Sequence, residues 1–447
     1  MITAQAWQEK HYAVYGLARS GLATVRALLA SGAQVTVWDE REEAREAALR
    51  CSCEGRSLVL DPRLRGDTTL PNNLDSLVVS PGVPLNTHPL AARARAAGVE
   101  IIGDIELFAR ARPELPPHKV VGITGTNGKS TTTALVHHIL QTAHVPTTMG
   151  GNIGLPILAQ DPLPEGGVYV LELSSYQIDL TQTLDCDLAV LLNITPDHLD
   201  RYASFEAYAA SKARLFGMQT AHHCAVCRAQ DWWFGTKAGA RAGGEYLEVS
   251  DDVFHQRQGA PDALGIPEQV GWPALQGPHN LENAEAAISV GFVLDLTANQ
   301  IRRGLETFPG LPHRMERVRD LNGVLFVNDS KATNAEAAAP ALAAYPRVRW
   351  IVGGQAKTHD LGDTARHLTH VVHAYTIGEA GPMFARLLRE RGVSVTESET
   401  LENAVKGAAA DSQAGEVVLL SPACASFDQF RDFEARGEAF KRLVGDL

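Results

Sequence analysis

Thr124-Gly125-Thr126-Asn127-Gly128-Lys129-Ser130-Thr131 stands between the apolar run KVVGIT and the helical run STTTALVHHILQTA. Glycines at such a place let backbone N–H groups turn towards phosphate, and a helix N-terminus adds partial positive charge. Lys129 would reach the terminal phosphates of a nucleotide, and the Ser130 hydroxyl would coordinate Mg²⁺. Ile123 occupies the place of the first glycine in G-x-x-x-x-G-K-[ST]. The strand–loop–helix setting still favours ATP over a purely structural turn.

Two later strand ends could serve the same metal. Glu172 closes VYVLEL, and His198 follows LAVLLNI in Asn193-Ile194-Thr195-Pro196-Asp197-His198. Parallel strands deliver their C-terminal ends to one rim, where ligands of open α/β sheets bind. A carboxylate on that rim can hold the metal that bridges phosphates. Read alone, Glu172 could cap a helix and His198 could be an ordinary loop histidine.

Nearer the N-terminus, Gly16-Leu17-Ala18-Arg19-Ser20-Gly21 follows a strand, and Asp39 ends the next. The loop is a G-x-G-x-x-G with alanine in the middle glycine's place. An acidic residue roughly twenty positions on is what a ribose-binding dinucleotide site requires. Such a loop could bind NAD, another nucleotide diphosphate, or nothing, its glycines then serving helix–strand packing alone. Cys224-x-x-Cys227, preceded by His222 and His223, lacks a second ligand pair for zinc. It reads as a strand with small sulfur side chains in a core.

The elements around these residues alternate. HYAVYG, AQVTVWD and LDSLVVS read as strands, as do KVVGIT, GVYVLEL and CDLAVLLNI, then VLFVND, RVRWIVGG, HAYTIG and EVVLLSP, with helical stretches between. Alternating β and α implies α/β architecture, with parallel sheets covered by helices on both faces. Proline-marked seams at RPELPPH and FPGLPHR divide the 447 residues into three blocks, close to the prior of about 150 residues per domain. The C-terminal FDQFRDFEARGEAF reads as an amphipathic helix with Phe427, Phe430 and Phe433 as its core stripe. Forty Lys and Arg against 52 Asp and Glu give −12, which argues against nucleic acid as a partner. With 45% hydrophobic and 21% charged residues, the chain is an ordinary globular composition. No stretch approaches the ~20 apolar residues that cross a bilayer, and the first twenty residues show no secretory pattern. Six cysteines in so long a chain suit a reducing compartment. A cytoplasmic protein is expected.

Eight segments then acquire a joint meaning: TGTNGKSTT (124–132), GGNIG (150–154), LELSSYQ (171–177), DHLDRY (197–202), GPHNLENAEAA (277–287), LPHRME (311–316), NDSKATN (328–334) and SPACASFDQFRDFEARG (421–437). In that order, over essentially the whole chain, they resemble the Mur ligases of peptidoglycan synthesis. Among these the likeness is to the member that adds D-glutamate to UDP-N-acetylmuramoyl-L-alanine; the D-N-P-R of the diaminopimelate- or lysine-adding member is missing. The resemblance implies three domains: a Rossmann-like UDP-substrate domain (1–102), a central P-loop ATPase domain with a parallel sheet (103–310) and a Rossmann-like amino-acid domain (311–447). It implies a monomer that needs ATP and Mg²⁺ and forms an amide through an acyl phosphate.

By the same resemblance Gly125, Thr126, Asn127, Gly128, Lys129, Ser130 and Thr131 bind ATP, with Asn280 and Asn283 on the adenine side, Arg314 at the phosphates and Asp329 at the ribose. Ser130, Glu172, His198 and a carbamylated Lys212 hold the metal. Arg19, Ser20, Asp39, Arg41, Gly82 and Asn152 take the UDP substrate. Lys331, Thr333, Lys357, Ser426 and Phe433 lie around D-glutamate and the acyl phosphate, and Lys129, His198, Lys212 and Lys331 are the catalytic set. GGQAK (353–357) departs from the usual G-G-x-x-K by a bulky glutamine and an alanine. Read without the resemblance, Asn280 could be a helix N-cap and Lys212 a solvated surface lysine. The alternatives are a related ATP-dependent amide ligase (the L-alanine-adding Mur enzyme or a folylpolyglutamate synthetase) and a non-catalytic nucleotide sensor.

Overall fold

The computed structural model describes residues 1–51, 58–65, 69–198, 200–227, 246–248 and 269–447. They build three sheets. The first holds β1 (His11–Tyr15), β2 (Gln34–Trp38), β3 (Leu58–Leu60), β4 (Ser76–Val79) and β5 (Glu100–Ile102) in the order β3-β2-β1-β4-β5, all parallel. The second holds β6 (His118–Thr124), β7 (Thr147–Gly151), β8 (Gly167–Glu172), β9 (Leu188–Leu191), β10 (Cys224–Cys227) and β11 (Tyr246–Glu248) in the order β11-β10-β9-β6-β8-β7, again all parallel. The third holds β12 (Glu316–Leu321), β13 (Val324–Asn328), β14 (Val348–Gly353), β15 (Val371–Ile377), β16 (Val395–Glu399) and β17 (Val417–Leu420) in the order β12-β13-β17-β14-β15-β16.

The third sheet departs from the all-parallel expectation at one edge. β12 runs antiparallel to β13, joined by Asn322 (φ 56°) and Gly323 (φ 78°). Two successive left-handed residues make the tight hairpin turn that Asn-Gly favours. Cys224–Cys227 forms β10, the strand that its sequence suggests. Among the described residues no group of three His, Cys, Asp or Glu could hold a metal, and no helix is long and apolar enough to cross a membrane.

Two compact units result: Met1–Ile266 with Glu285–Gly304, and Pro267–Ala284 with Leu305–Leu447. Within the first unit, the first two sheets share one core, in which Trp7, Leu28, Phe108 and Tyr169 belong to a single buried cluster. The second unit packs Trp350 and Phe384 on one face of its sheet and Tyr375 and Phe440 on the other.

Two sequence readings need correction. The C-terminal helix is Phe433–Gly445, started by Asp432, whose carboxylate accepts from the Ala435 N–H at 2.7 Å. Phe427 therefore lies before the helix and is exposed, and the buried stripe is Arg436, Gly437, Phe440 and Val444. Phenylalanine spacing suggested a longer helix, but the capping aspartate sets the start. Asn280 is not an N-cap either. It lies inside the helix Pro278–Val293 with its N–H donating to Gly277 O, and its side chain reaches back to Gln276 O at 3.0 Å.

Gly16 and Gly21 are fixed by packing. A Cβ on Gly21 would sit 1.9 Å from Gly16 O, and one on Gly16, at φ +89°, would sit 2.9 Å from Ser80 Cβ. Gly21→Ala must push the helix Arg19–Ala30 off β1, an overpacking that costs at least about 2 kcal/mol. Denaturant unfolding of the variant checks this; an unchanged midpoint would contradict the close approach.

Candidate active site

The first unit gathers its polar residues at the carboxyl ends of adjacent parallel strands. β6 ends in the loop Gly125–Gly128, β8 ends in Glu172, β9 leads to Asn193 and His198, and β7 leads to Asn152. A Cβ on Gly125 would approach Leu192 Cβ to 3.1 Å, and Gly128, at φ 85°, starts the helix Lys129–Thr142. Asn193 clamps the loop: its Oδ1 accepts from Asn127 N–H at 2.9 Å and its Nδ2 donates to Asn127 O at 3.2 Å. Lys129 Nζ donates to Gly125 O and Thr126 O, both at 2.8 Å.

Lys212 meets the same loop. From the helix Phe205–Gly217 its Nζ donates to Gly125 O at 2.8 Å and lies 4.7 Å over the Tyr208 ring. It is only 2% exposed, so it is no surface lysine. Burial, and secondly the charge of Lys129, push its pKa down to about 6. A desolvated ammonium beside another cation gives up its proton readily.

Glu172 does not cap a helix. The next helix, Ser175–Asp179, is capped by Ser174 and Gln177 in a reciprocal pair. Glu172, 2% exposed, accepts from Asn152 Nδ2 at 3.0 Å through Oε1, while its buried Oε2 has no hydrogen-bond partner. A buried carboxylate oxygen without a donor is costly unless something cationic meets it, so the residue fits a metal ligand. His198 sits on an exposed loop at φ 54°; Leu199 beside it lies outside the described residues.

The first sheet repeats the pattern. Loop 16–18 follows β1, Asp39 and Arg41 follow β2, and Gly82 follows β4. Asp39 accepts from Leu17 N–H at 2.6 Å and Arg41 N–H at 2.9 Å. Burial pushes its carboxyl upwards, but these donors and the Arg41 side chain outweigh it and hold the pKa below the usual range. Asp39 thus shapes the loop as well as facing it. Arg19 donates to Gly154 O at 2.7 Å.

In the second unit, Thr333 follows β13, Ser426 follows β17 and Lys357 follows β14, three neighbouring parallel strands. Gln355 pairs with Ala425 through both backbone bonds, at 2.9 and 3.0 Å, and its side chain is exposed. The unusual GGQAK is accommodated because the glutamine contributes backbone to the site. Lys331 Nζ lies 4.0 Å over the Phe433 ring. Asn283 Nδ2 donates to Asn280 Oδ1 at 3.2 Å. Asp329 accepts from Ser421 Oγ at 2.8 Å and Met315 N–H at 3.2 Å; burial pushes its pKa up to about 7.

The comparisons give this arrangement a family. Residues 10–103 match the Mur ligase MurD-like N-terminal domain, 123–260 the Mur ligase middle domain and 313–424 the Mur ligase glutamate ligase domain. The chain belongs to the Mur ligase family. It is 59% identical to the UDP-N-acetylmuramoylalanine–D-glutamate ligase of Novosphingobium aromaticivorans, over 100% of this chain and 97% of that protein. It is 53% identical to the protein of that name from Zymomonas mobilis, over the full length of both. The MurF ligase of Thermotoga maritima, solved in complex with ADP, shares the fold at TM-score 0.58 and 16% identity, covering 100% of this chain and 97% of that one.

Within this Mur ligase, sequence reasoning passed over the residues that hold loops in place. Asn193 was visible in its segment but given no role. Arg436, 1% exposed, donates to Ser330 Oγ, Ser330 O, Cys424 O and Ala425 O, tying the loop after β13 to the loop after β17. It lay hidden in a helix pattern, where an arginine reads as surface.

Asp329 offers a test by pH. Its folded pKa of about 7 exceeds the unfolded carboxylate value of about 3.9, so the folded protein keeps a proton that the unfolded chain releases. That contribution to stability is complete below the unfolded pKa and is lost as pH rises through about 7. Melting temperatures from pH 5 to pH 8 should therefore fall less in Asp329→Asn than in the native protein; identical slopes would refute the shift.

Proposed function

We propose that this Mur ligase joins D-glutamate to UDP-N-acetylmuramoyl-L-alanine at the expense of ATP, in the cytoplasm and as a monomer. The full-length identity to two ligases of that name carries the reading, and the loop chemistry at three sets of strand ends supports it. We assign the functional domains to 1–102, 103–310 and 311–447.

The substrate carboxylate attacks the γ-phosphorus of ATP, a P–O bond forms as ADP leaves, and the acyl phosphate results. The amine of D-glutamate adds to the acyl carbon; the tetrahedral intermediate loses phosphate, and the amine loses its proton. A carboxylate is a poor acyl donor, so phosphorylation supplies the leaving group, and the protein's work is positioning and charge stabilisation. Lys129, Arg314 and the N–H groups of Gly125–Thr131 take the phosphates; Asn280 and Asn283 take the adenine side and Asp329 the ribose. Arg19, Ser20, Asp39, Arg41, Gly82 and Asn152 take the UDP substrate. Lys331, Thr333, Lys357, Ser426 and Phe433 serve the acyl phosphate and D-glutamate. Mg²⁺ held by Ser130, Glu172, His198 and carbamylated Lys212 would supply charge neutralisation at the phosphates.

ADP release with UDP-N-acetylmuramoyl-L-alanine and a panel of amino acids tests the reading: D-glutamate should be the one good acceptor. Lys357→Ala removes a charge-assisted hydrogen bond, so KM for D-glutamate should rise roughly ten- to hundredfold with KM for ATP and the UDP substrate unchanged. Equal damage to all three would misplace the pocket, and ADP release with UDP-N-acetylmuramate and L-alanine would select the L-alanine-adding ligase instead.

Lys212 supplies a separate test. A pKa lowered to about 6 favours the free amine, whose lone pair adds to the carbon of carbon dioxide as the nitrogen gives up a proton to solvent. The carbamate that follows is an anionic oxygen donor, which Mg²⁺ prefers. Protein equilibrated with ¹³C-bicarbonate should show one carbamate carbon signal that Lys212→Ala lacks, and the variant should lose nearly all ligation. A missing signal in active enzyme excludes the modification.

A further inference from the structure

Arg201 joins two loops that the proposed function uses for different ligands. Its Nη2 donates to Val83 O at 3.0 Å and reaches Pro81 O at 3.5 Å, the carbonyls either side of Gly82. The turn they belong to is closed by Val83 N–H to Ser80 O, and is fixed from its other side by Ser80 Oγ donating to Gly16 O at 2.7 Å. Gly82 itself is exposed, with open space where a Cβ would stand. The backbone of Arg201 faces the other way: its N–H donates to His198 O at 2.9 Å, and the N–H of Tyr202 shares that carbonyl.

The guanidinium rests against an aromatic ring. It lies 4.3 Å over the ring of Tyr176, which stacks on Tyr202 at 6.0 Å and 8° and meets the His198 ring at 5.1 Å. Tyr202 is anchored in turn by its hydroxyl donating to Asp179 at 2.7 Å. A second strut, Asn86 Nδ2 to Asp200 O at 3.2 Å, crosses the same seam. One side chain thus fixes the Gly82 turn, and the same residue's N–H fixes the backbone of His198, which sits in a left-handed conformation that an ordinary residue keeps only when its surroundings impose it.

We infer that Arg201 is a positioning residue that couples the UDP-substrate turn at Gly82 to the placement of His198, so that UDP-substrate binding and divalent-cation binding strengthen each other. The inference rests on the ligand assignments of the proposed function for Gly82 and His198. Coupling of this kind is reciprocal and typically amounts to about five- to 150-fold in affinity.

The test is calorimetric binding of UDP-N-acetylmuramoyl-L-alanine to the full-length protein with a non-hydrolysable ATP analogue, with and without Mg²⁺. Native protein should bind the UDP substrate at least about fivefold tighter with Mg²⁺. Arg201→Met, which keeps the stem on the Tyr176 ring but donates nothing to the carbonyls, should lose that difference while its affinity for the ATP analogue and its melting temperature stay close to native. Arg201→Lys, which keeps the charge without the planar fork, should show a reduced difference and decides the matter if the methionine variant does not fold. Native protein without the Mg²⁺ effect, or either variant with the effect undiminished, overturns the coupling. Native protein that does not bind the UDP substrate at all overturns the functional reading instead.

Discussion

Strands buried on both faces can carry no chemistry along their length, and the fold is arranged around that exclusion. Every residue of β8, Gly167–Glu172, is buried, and its one carboxylate is the last of them. β6 is apolar and buried from Val120 to Ile123 before it ends in Thr124, and β14 is buried throughout and ends in Gly353. Polar groups therefore collect where the strands stop, and because neighbours run parallel they stop on one rim. Loops leaving adjacent ends must cross close to each other's backbone, which is why glycine recurs there. A Cβ on Gly151 would stand 2.2 Å from Glu172 O, and one on Gly353 would stand 2.0 Å from Ile377 O. The same geometry that crowds the loops brings Asn152 onto Glu172 and Gln355 onto Ala425.

Crowding sets the electrostatics at the P-loop. Lys129 and Lys212 both donate to Gly125 O, so two cations would share one acceptor in a site from which much water is excluded. The conflict is settled unequally. Lys129 stands half-buried at a helix start, whereas Lys212 is buried on the helix Phe205–Gly217, where desolvation and then the charge of Lys129 disfavour its ammonium. Burial and a neighbouring charge thus lower the pKa of one lysine at the P-loop, the kind of shift by environment that active sites exploit.

What the sequence disclosed follows from burial as well. The interior strands of all three sheets stand out as apolar runs, among them HYAVYG, KVVGIT, GVYVLEL and EVVLLSP. The edge strands β3, β5, β7, β11, β12 and β16 went unread. An edge is covered less fully, so ERVRDL and VTESE are mostly polar and lack the continuous apolar signal. The site divided in the same way. A glycine–lysine loop announces itself by composition, and the family likeness supplied the contacts that spacing could not. Asn193, Arg201 and Arg436 escaped because their work is to hold backbone, and a residue that bonds a carbonyl has no spacing rule to betray it. Phe427 misled for the converse reason, since its period was right but Asp432 starts the helix after it.

Those loop-holding cations share one choice of acceptor. Arg19 bonds Gly154 O, Arg201 bonds Val83 O, Lys129 bonds Gly125 O and Thr126 O, and Arg436 bonds Ser330 O, Cys424 O and Ala425 O. A carboxylate in any of these places would fix the loop equally well, but it would also cancel the charge. A carbonyl fixes the loop and leaves the charge of the side chain uncancelled. This matters in a chain whose net charge is −12, because phosphate-bearing ligands meet an acidic protein and need a local field of opposite sign.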